Sequence, residues 1–193
     1  MKKIEIIWRE ILEQSATTSH FQQKELARKY GMSTSTIFAA ITPLKRLGAL
    51  EVGKKGFRII NLEKILLFWA THRNLEKDII YKTYVDLPIF EIEGLVDNES
   101  IYGGYTAARF LLGPAPSDYA RIYLYSQDSQ ILIKRFPPKK DPPNLFILKS
   151  DPFLSRFGRT TPPSQTFVDL WNMKDWYAQD FIKALKEKFY GFL

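Results

Sequence analysis

From Lys3 to Gln14 the apolar residues Ile4, Ile6, Ile7, Trp8, Ile11 and Leu12 recur at helical spacing, with Glu10 and Glu13 on the other side. That pattern predicts an amphipathic helix, ended by the polar stretch 15–19. Ser19 or His20 then opens a second helix through Phe21, Leu26, Ala27 and Tyr30, with Gly31 in the position of a left-handed closing residue. Ser33 can accept a hydrogen bond from the first amides of a third helix, which turns Ile37, Ile41, Leu44 and Leu47 inward and stops at Gly48. Pro43 removes one backbone bond of that helix and presses on the carbonyl of Ala39, so a kink is expected. Two β-prone runs, 49–52 and 57–60, flank Gly53-Lys54-Lys55-Gly56, whose glycines permit the positive φ of a tight hairpin. Asn61 is the expected cap of a further helix over Leu62–His72, with His72 capping its far end beside Arg73.

Beyond that helix the pattern changes. Strands are expected over 79–85, 120–125, 131–136 and 145–148, and helices over 88–96 and 105–112. Ser164 caps a closing helical pair, 165–173 and 175–189. The proline-rich pieces 114–116, 137–143 and 162–163 read as ordered turns, and no internal repeat is present. The order helix, helix, helix, hairpin is that of a winged helix-turn-helix. The expected fold is therefore α+β: a winged helix-turn-helix over 1–61, a connecting helix over 62–74, and a mixed α/β domain over 75–193.

Composition narrows the function. A chain of 193 residues that is 45% hydrophobic can bury a sizeable core. With no cysteine and only His20 and His72, neither a disulfide framework nor a structural zinc is expected, and no cofactor is called for. Glu5, Arg9 and Glu10 interrupt the first apolar run, so no signal peptide is expected. The best apolar stretch, 65–70, falls far short of the roughly 18 residues of a membrane span, and the expectation is a cytoplasmic protein with no membrane partner. The net charge of +7 is segregated: residues 1–74 hold 13 Lys and Arg against 6 Asp and Glu, while residues 75–193 hold 15 against 15. Charge gathered on one segment suits a protein that displaces counterions from phosphates.

In a helix-turn-helix the third helix enters the major groove and its first turn meets base edges. Here that turn supplies Ser33, Thr34, Ser35 and Thr36, with Thr42, Lys45 and Arg46 further along. Small hydroxyls can bond bases or phosphates and let the helix sit deep, while Lys and Arg anchor phosphates; the same four residues also serve as a capped polar surface. Lys54 and Lys55 at the hairpin tip, with Arg58 beside them, lie where a wing reaches the flanking minor groove or backbone. Lys24, Arg28 and Lys29 on the second helix are further backbone contacts or a solvated face. The expected partner is double-stranded operator DNA, bound by a homodimer if the operator is symmetric.

With Leu26-Ala27, the 33–37 stretch, 44–50 and a glycine-bounded wing, the first third resembles the winged-helix domains of many bacterial and archaeal regulators. Gly103-Gly104-Tyr105-Thr106-Ala107-Ala108-Arg109 followed by 117–125 is similar in outline to the nucleotidyltransferase turn, helix and Asp-x-Asp strand. That chemistry needs two carboxylates to hold a divalent metal. Here Asp118 stands but Ala120 replaces the second, and Gly104 replaces the expected serine, so the resemblance implies a degenerate, inactive domain. The segment 161–171, with Gln165, Asp169, Leu170 and Trp171, together with the helix after it resembles the end of AbiEi-type antitoxins of type IV toxin-antitoxin systems. Those proteins also carry an N-terminal winged helix. The resemblance implies an autorepressor whose C-terminal domain binds a protein partner; residues 62–100 do not follow the family closely.

On the residues alone, Gln165 and Asp169 hold a turn and helix start while Trp171 fills the core. Alternatively Tyr102, Tyr105, Trp171, Trp176 and Tyr177 form an aromatic ligand pocket; aromatics at helical spacing favour the core. A nucleic-acid enzyme would use Asp118 with Asp128 or Asp141, none of them at metal-binding spacing. There is no phosphate-binding loop and no nucleophile elbow, so catalysis is not expected. The alternative to a DNA-binding regulator is a protein-interaction module built on the same winged fold.

Overall fold

In the computed structural model, which describes residues 1–191, the first apolar stripe winds into helix α1 (Lys3–Gln14). The chain is a mixture of helices and strands that divides into two units, one ending at His72 and the other beginning at Arg73. In the first unit α1 is followed by β1 (His20–Phe21), α2 (Gln23–Tyr30), α3 (Thr34–Arg46), β2 (Leu50–Gly53), β3 (Gly56–Ile59) and α4 (Leu62–His72). Helix α1 packs against α3 and α4. The indole Nε1 of Trp8 donates to the carbonyl of Ala40 inside α3 at 2.8 Å, and its ring meets Phe68 of α4 edge-on at 5.2 Å. Gly31 closes α2 in the left-handed conformation, and α3 continues through Pro43 to Arg46. Asn61 Oδ1 accepts from the amide of Lys64 at 2.8 Å, which starts α4, and His72 near its end stacks on Phe68.

Three expectations for this unit are corrected. Residues 20–21 are not the first turn of α2: they pair with β3, Phe21 opposite Phe57 with the two rings stacked 5.4 Å apart, in an antiparallel sheet ordered β1-β3-β2. A cross-strand aromatic pair buried on a sheet outweighs the helical spacing of Phe21 with the residues after it. Glu10 is buried rather than solvent-facing, because it accepts from the Tyr30 hydroxyl at 2.5 Å and pairs with Lys29. Leu47, expected inside, caps α3 and is exposed, since the buried stripe of α3 ends one turn earlier at Leu44.

In the second unit a 3₁₀ turn (Leu75–Asp78) leads to β4 (Ile79–Thr83), α5 (Ile89–Gly94), β5 (Ile101–Gly103), α6 (Gly104–Leu112), β6 (Ile122–Ser126), α7 (Gln130–Arg135) and β7 (Leu145–Lys149). A second 3₁₀ turn (Leu154–Phe157) precedes α8 (Pro163–Trp171) and α9 (Ala178–Phe189). The four-stranded sheet is ordered β4-β7-β6-β5, with β6 and β7 parallel and the other pairs antiparallel. Of residues 131–136, expected as a strand, 131–135 lie in α7 and Phe136 ends it. Parallel neighbours need a long crossover, and a helix there buries Leu132 and Phe136 four residues apart. Along β6, Ile122 and Leu124 face a core shared with Ile92, Ala107 and Leu132, whereas Tyr125 reaches α8 through a hydrogen bond to Asp169 at 2.5 Å. Gly104 adopts φ 53, and a Cβ there would stand 2.7 Å from Met173 Cε and 3.2 Å from the Tyr123 ring, so the glycine turn is filled by close packing. Ser164 lies inside α8 and is buried, since Pro163 takes the first helical position, whose missing N–H no helix bond needs. Among the described residues no helix is long and apolar enough to cross a membrane.

Arg73 is buried in this unit between two carboxylates. Its Nε donates to Asp169 Oδ1 at 3.0 Å, its Nη2 to Tyr125 Oη at 3.1 Å, and its Nη1 binds Asp78. Burial raises the Asp169 carboxyl above its ordinary value even though Arg73 and Tyr125 pull it down. Burial also opposes ionisation of Asp78, but there the Arg73 charge prevails and its carboxyl is held below the ordinary value. Arg73→Met strands a buried carboxylate and is expected to lower stability by about 3 to 5 kcal/mol. Asp169→Asn leaves Arg73 on Asp78 and is expected to lower it by clearly less, a contrast that urea unfolding of the two variants checks.

Candidate nucleic-acid interface

Helix α3 divides cleanly by periodicity. Ile37, Ala40, Ile41 and Leu44 form one buried stripe, and the residues three and four apart on the other side, Ser35, Phe38, Ala39, Thr42, Lys45 and Arg46, form an exposed one. Because α1 and the Trp8 indole hold the buried stripe, the opposite face meets solvent. No acidic residue stands on α3.

Three hydroxyls of the first turn bond one another at the surface. Ser33 Oγ accepts from the Thr36 amide at 3.3 Å and lies 2.8 Å from Ser35 Oγ and 2.9 Å from Thr36 Oγ1. Ser33 is thus the cap of α3, as its position suggested, and Ser35 and Thr36 share its network. Thr42 Oγ1 donates to the carbonyl of Phe38 at 2.7 Å, four residues back. Thr34 is exposed, and its hydroxyl has no partner among the described residues.

The cations stand around this helix on their own elements. Lys45 and Arg46 are exposed in its last turn, where they also suit the negative end of the helix dipole. Lys54 and Lys55 form the exposed turn between β2 and β3, whose root is Gly56 with φ 141; a Cβ there would lie 2.1 Å from the Phe21 carbonyl oxygen. Arg58 is exposed on β3 opposite Glu51 of β2 and is ion-paired with it, a partnership that only the strand register reveals. Both members are solvated, so the pair contributes little to stability. Lys24 and Arg28 are exposed one turn apart on α2, whereas Lys29 is tied to the buried Glu10. A groove of about 360 Å³ between α3 and β2 is lined by Phe38, Ile41, Thr42, Lys45, Arg46 and Val52.

Phe38 was not anticipated on this face. It is 52% exposed, and the signal for it was its phase: it falls between the core positions Ile37 and Ala40.

In the second unit the polar residues Thr106, Arg109 and Tyr119 of the stretch after the glycine turn have structural partners. Thr106 Oγ1, Tyr119 Oη and Arg109 Nη2 converge on the buried carboxylate of Glu93 at 2.8, 2.7 and 2.7 Å. Burial, with the bond to Glu93, pushes the Tyr119 phenol up to about 12, so it stays a donor at neutral pH. Asp118 is exposed in the loop before β6 rather than on a strand, and Asp128 and Asp141 are exposed on other loops. Among the described residues no group of three or more His, Asp or Glu is placed to hold a metal ion. Of the candidate aromatic pocket, Tyr105 bonds Asp175 at 2.9 Å beside Tyr177, and Tyr102 bonds the Glu93 carbonyl at 2.7 Å. Trp171, expected in the core, is half-exposed against Phe167, because the buried side of α8 ends at Leu170, and Trp176 is 80% exposed.

Ser33→Ala removes the cap of α3 and is expected to lower stability by about 1 kcal/mol, with Ser33→Asp restoring it. Thr34→Ala, at a solvent-facing hydroxyl, is expected to change stability by less than about 0.5 kcal/mol. Thermal unfolding of the three variants checks both.

Compared with known proteins, the chain matches no family, no curated relative and no solved structure.

Proposed function

We propose that the chain is a sequence-specific DNA-binding transcriptional regulator whose first unit is a winged helix-turn-helix. The observation that carries the reading is the exposed, acid-free stripe of α3 ending in Lys45 and Arg46, with the Lys54-Lys55 turn on the hairpin that follows it. The order helix, strand, helix, helix, hairpin and the β1-β3-β2 sheet support the winged-helix assignment. In this reading α3 lies in the major groove, the hairpin turn reaches the flanking phosphates, and Lys24 and Arg28 anchor the backbone beside α2. The segregated positive charge supports DNA over a purely protein-binding role for this unit.

The second unit we read as a degenerate nucleotidyltransferase-like, partner-binding domain, making the whole an antitoxin-like autorepressor. Support comes from the Gly103-Gly104 turn between β5 and α6, and from a surface where Arg109 lies over the exposed rings of Phe110 and Phe90, 4.4 and 5.5 Å from their centroids. Aromatic and arginine side chains of this kind dominate the energetics of protein interfaces. Ala120 and the loop position of Asp118 leave this unit without the carboxylate pair that nucleotidyl transfer requires.

The test is binding to duplex DNA from the region upstream of the protein's own coding sequence against a scrambled duplex, at several salt concentrations. Preferential binding is expected, weakening steeply with salt. Replacing Lys54 and Lys55 together by alanine should reduce the slope of log affinity against log salt by about 1 to 2, roughly one for each phosphate left without its lysine. Equal weak binding to both duplexes would instead favour the protein-interaction module.

A further inference from the structure

Building on the DNA-binding reading, we infer that Phe38 is a specificity-determining residue of α3 that reads the C5 methyl group of thymine in the major groove. Within α3, among the described residues, Phe38 is the only large apolar side chain that is exposed. It stands mid-helix on the outward stripe, with Ala39 beside it and Thr42 one turn on. The groove at its side, about 360 Å³, has an apolar floor of Ile41 and Val52 and a cationic rim of Lys45 and Arg46.

A helix that reads bases by hydrogen bonds presents amide, guanidinium or free hydroxyl groups to their edges. On α3 the hydroxyls of Ser33, Ser35 and Thr36 bond one another, Thr42 donates to its own helix backbone, and the one unpartnered hydroxyl among the described residues of the helix, Thr34, stands at its first position, a full turn before Phe38. There is no Asn, Gln, Asp or Glu in α3, and its two cations stand together in the last turn. What remains at the centre of the stripe is an apolar surface. The apolar feature that distinguishes one base pair from another in the major groove is the thymine methyl, and a ring or a methyl group is what packs against it. The flanking positive charge and the absence of acid on this helix match a polyanion. The occupant is therefore duplex DNA carrying thymine opposite the middle of α3, with recognition by burial of the methyl and anchoring by Lys45, Arg46, Lys54 and Lys55.

The experiment selects duplexes from a randomised 24-base-pair pool with the full chain, then rebuilds the most enriched duplex with deoxyuridine replacing thymidine one position at a time. Loss of one buried methyl should weaken wild-type binding roughly four-fold at one or two positions. The same replacements should leave Phe38→Ala binding unchanged, its affinity already reduced on the thymidine duplex. Enriched binding that no deoxyuridine weakens, or a Phe38→Ala loss equal on both duplexes with the wild type sensitive at the same positions, overturns the assignment and leaves the regulator intact. A pool with no enriched sequence overturns both, and the Phe38 groove then belongs to a protein partner. Because the deoxyuridine arm alters only the DNA, no failure of folding can imitate it.

Discussion

The first unit is organised by one contact: α1 holding the inner stripe of α3. Trp8 both fills space and donates its indole N–H to a carbonyl within α3, so the register and rotation of that helix are set by a directional bond as well as by packing. Once Ile37, Ala40, Ile41 and Leu44 are committed inward, helical geometry leaves no choice about the other side. The stripe of Ser35, Phe38, Thr42, Lys45 and Arg46 is the geometric complement of the core. A face produced in this way is stiff, because moving it means unpacking the residues behind it.

The second unit uses buried charge differently. Arg73 and Asp169 are both almost inaccessible, and each carries further partners, Asp78 for the arginine and the Tyr125 hydroxyl for the carboxylate. Glu93 gathers three donors in the same fashion. Such networks constrain geometry more than they add stability, since desolvation opposes much of the attraction. Opposite pKa directions for Asp78 and Asp169 follow from this. The protective contribution of Asp78 holds above its ordinary value of 3.8 and is lost as pH falls through its lower folded value. The contribution of Asp169, whose folded value is raised, holds below 3.8 and is lost as pH rises through that folded value.

Much of the first unit was legible because its signals are local. The bounds of α1, the Ser33 cap, the Gly31 stop, the hairpin and the Asn61 cap each rest on a few neighbouring residues. What was not legible depends on partners far along the chain. His20 and Phe21 look helical until β3 supplies strand hydrogen bonds and Phe57; Ile131 and Ile133 look β-prone until the parallel pairing of β6 and β7 demands a crossover. Glu10 is polar in sequence and buried in space because Tyr30 and Lys29 come to meet it. At the candidate interface the cations could be read from their positions beside a helix and in a turn. Phe38 was missed although its phase, one residue past Ile37 on a helix whose inward positions are Ile37, Ile41 and Leu44, already sets it on the outer side.

The root of the hairpin has a consequence for how such a protein changes over time. Gly56 is wedged so tightly beneath the Phe21 carbonyl that a side chain there would pry the first strand from the sheet, while the two lysines just before it stand exposed in the turn, where little resists replacement. Variation is therefore channelled. The tip is free to lengthen, shorten or change charge while the glycine beneath it stays fixed, so the length and charge of the hairpin can vary without reopening the question of how the domain folds.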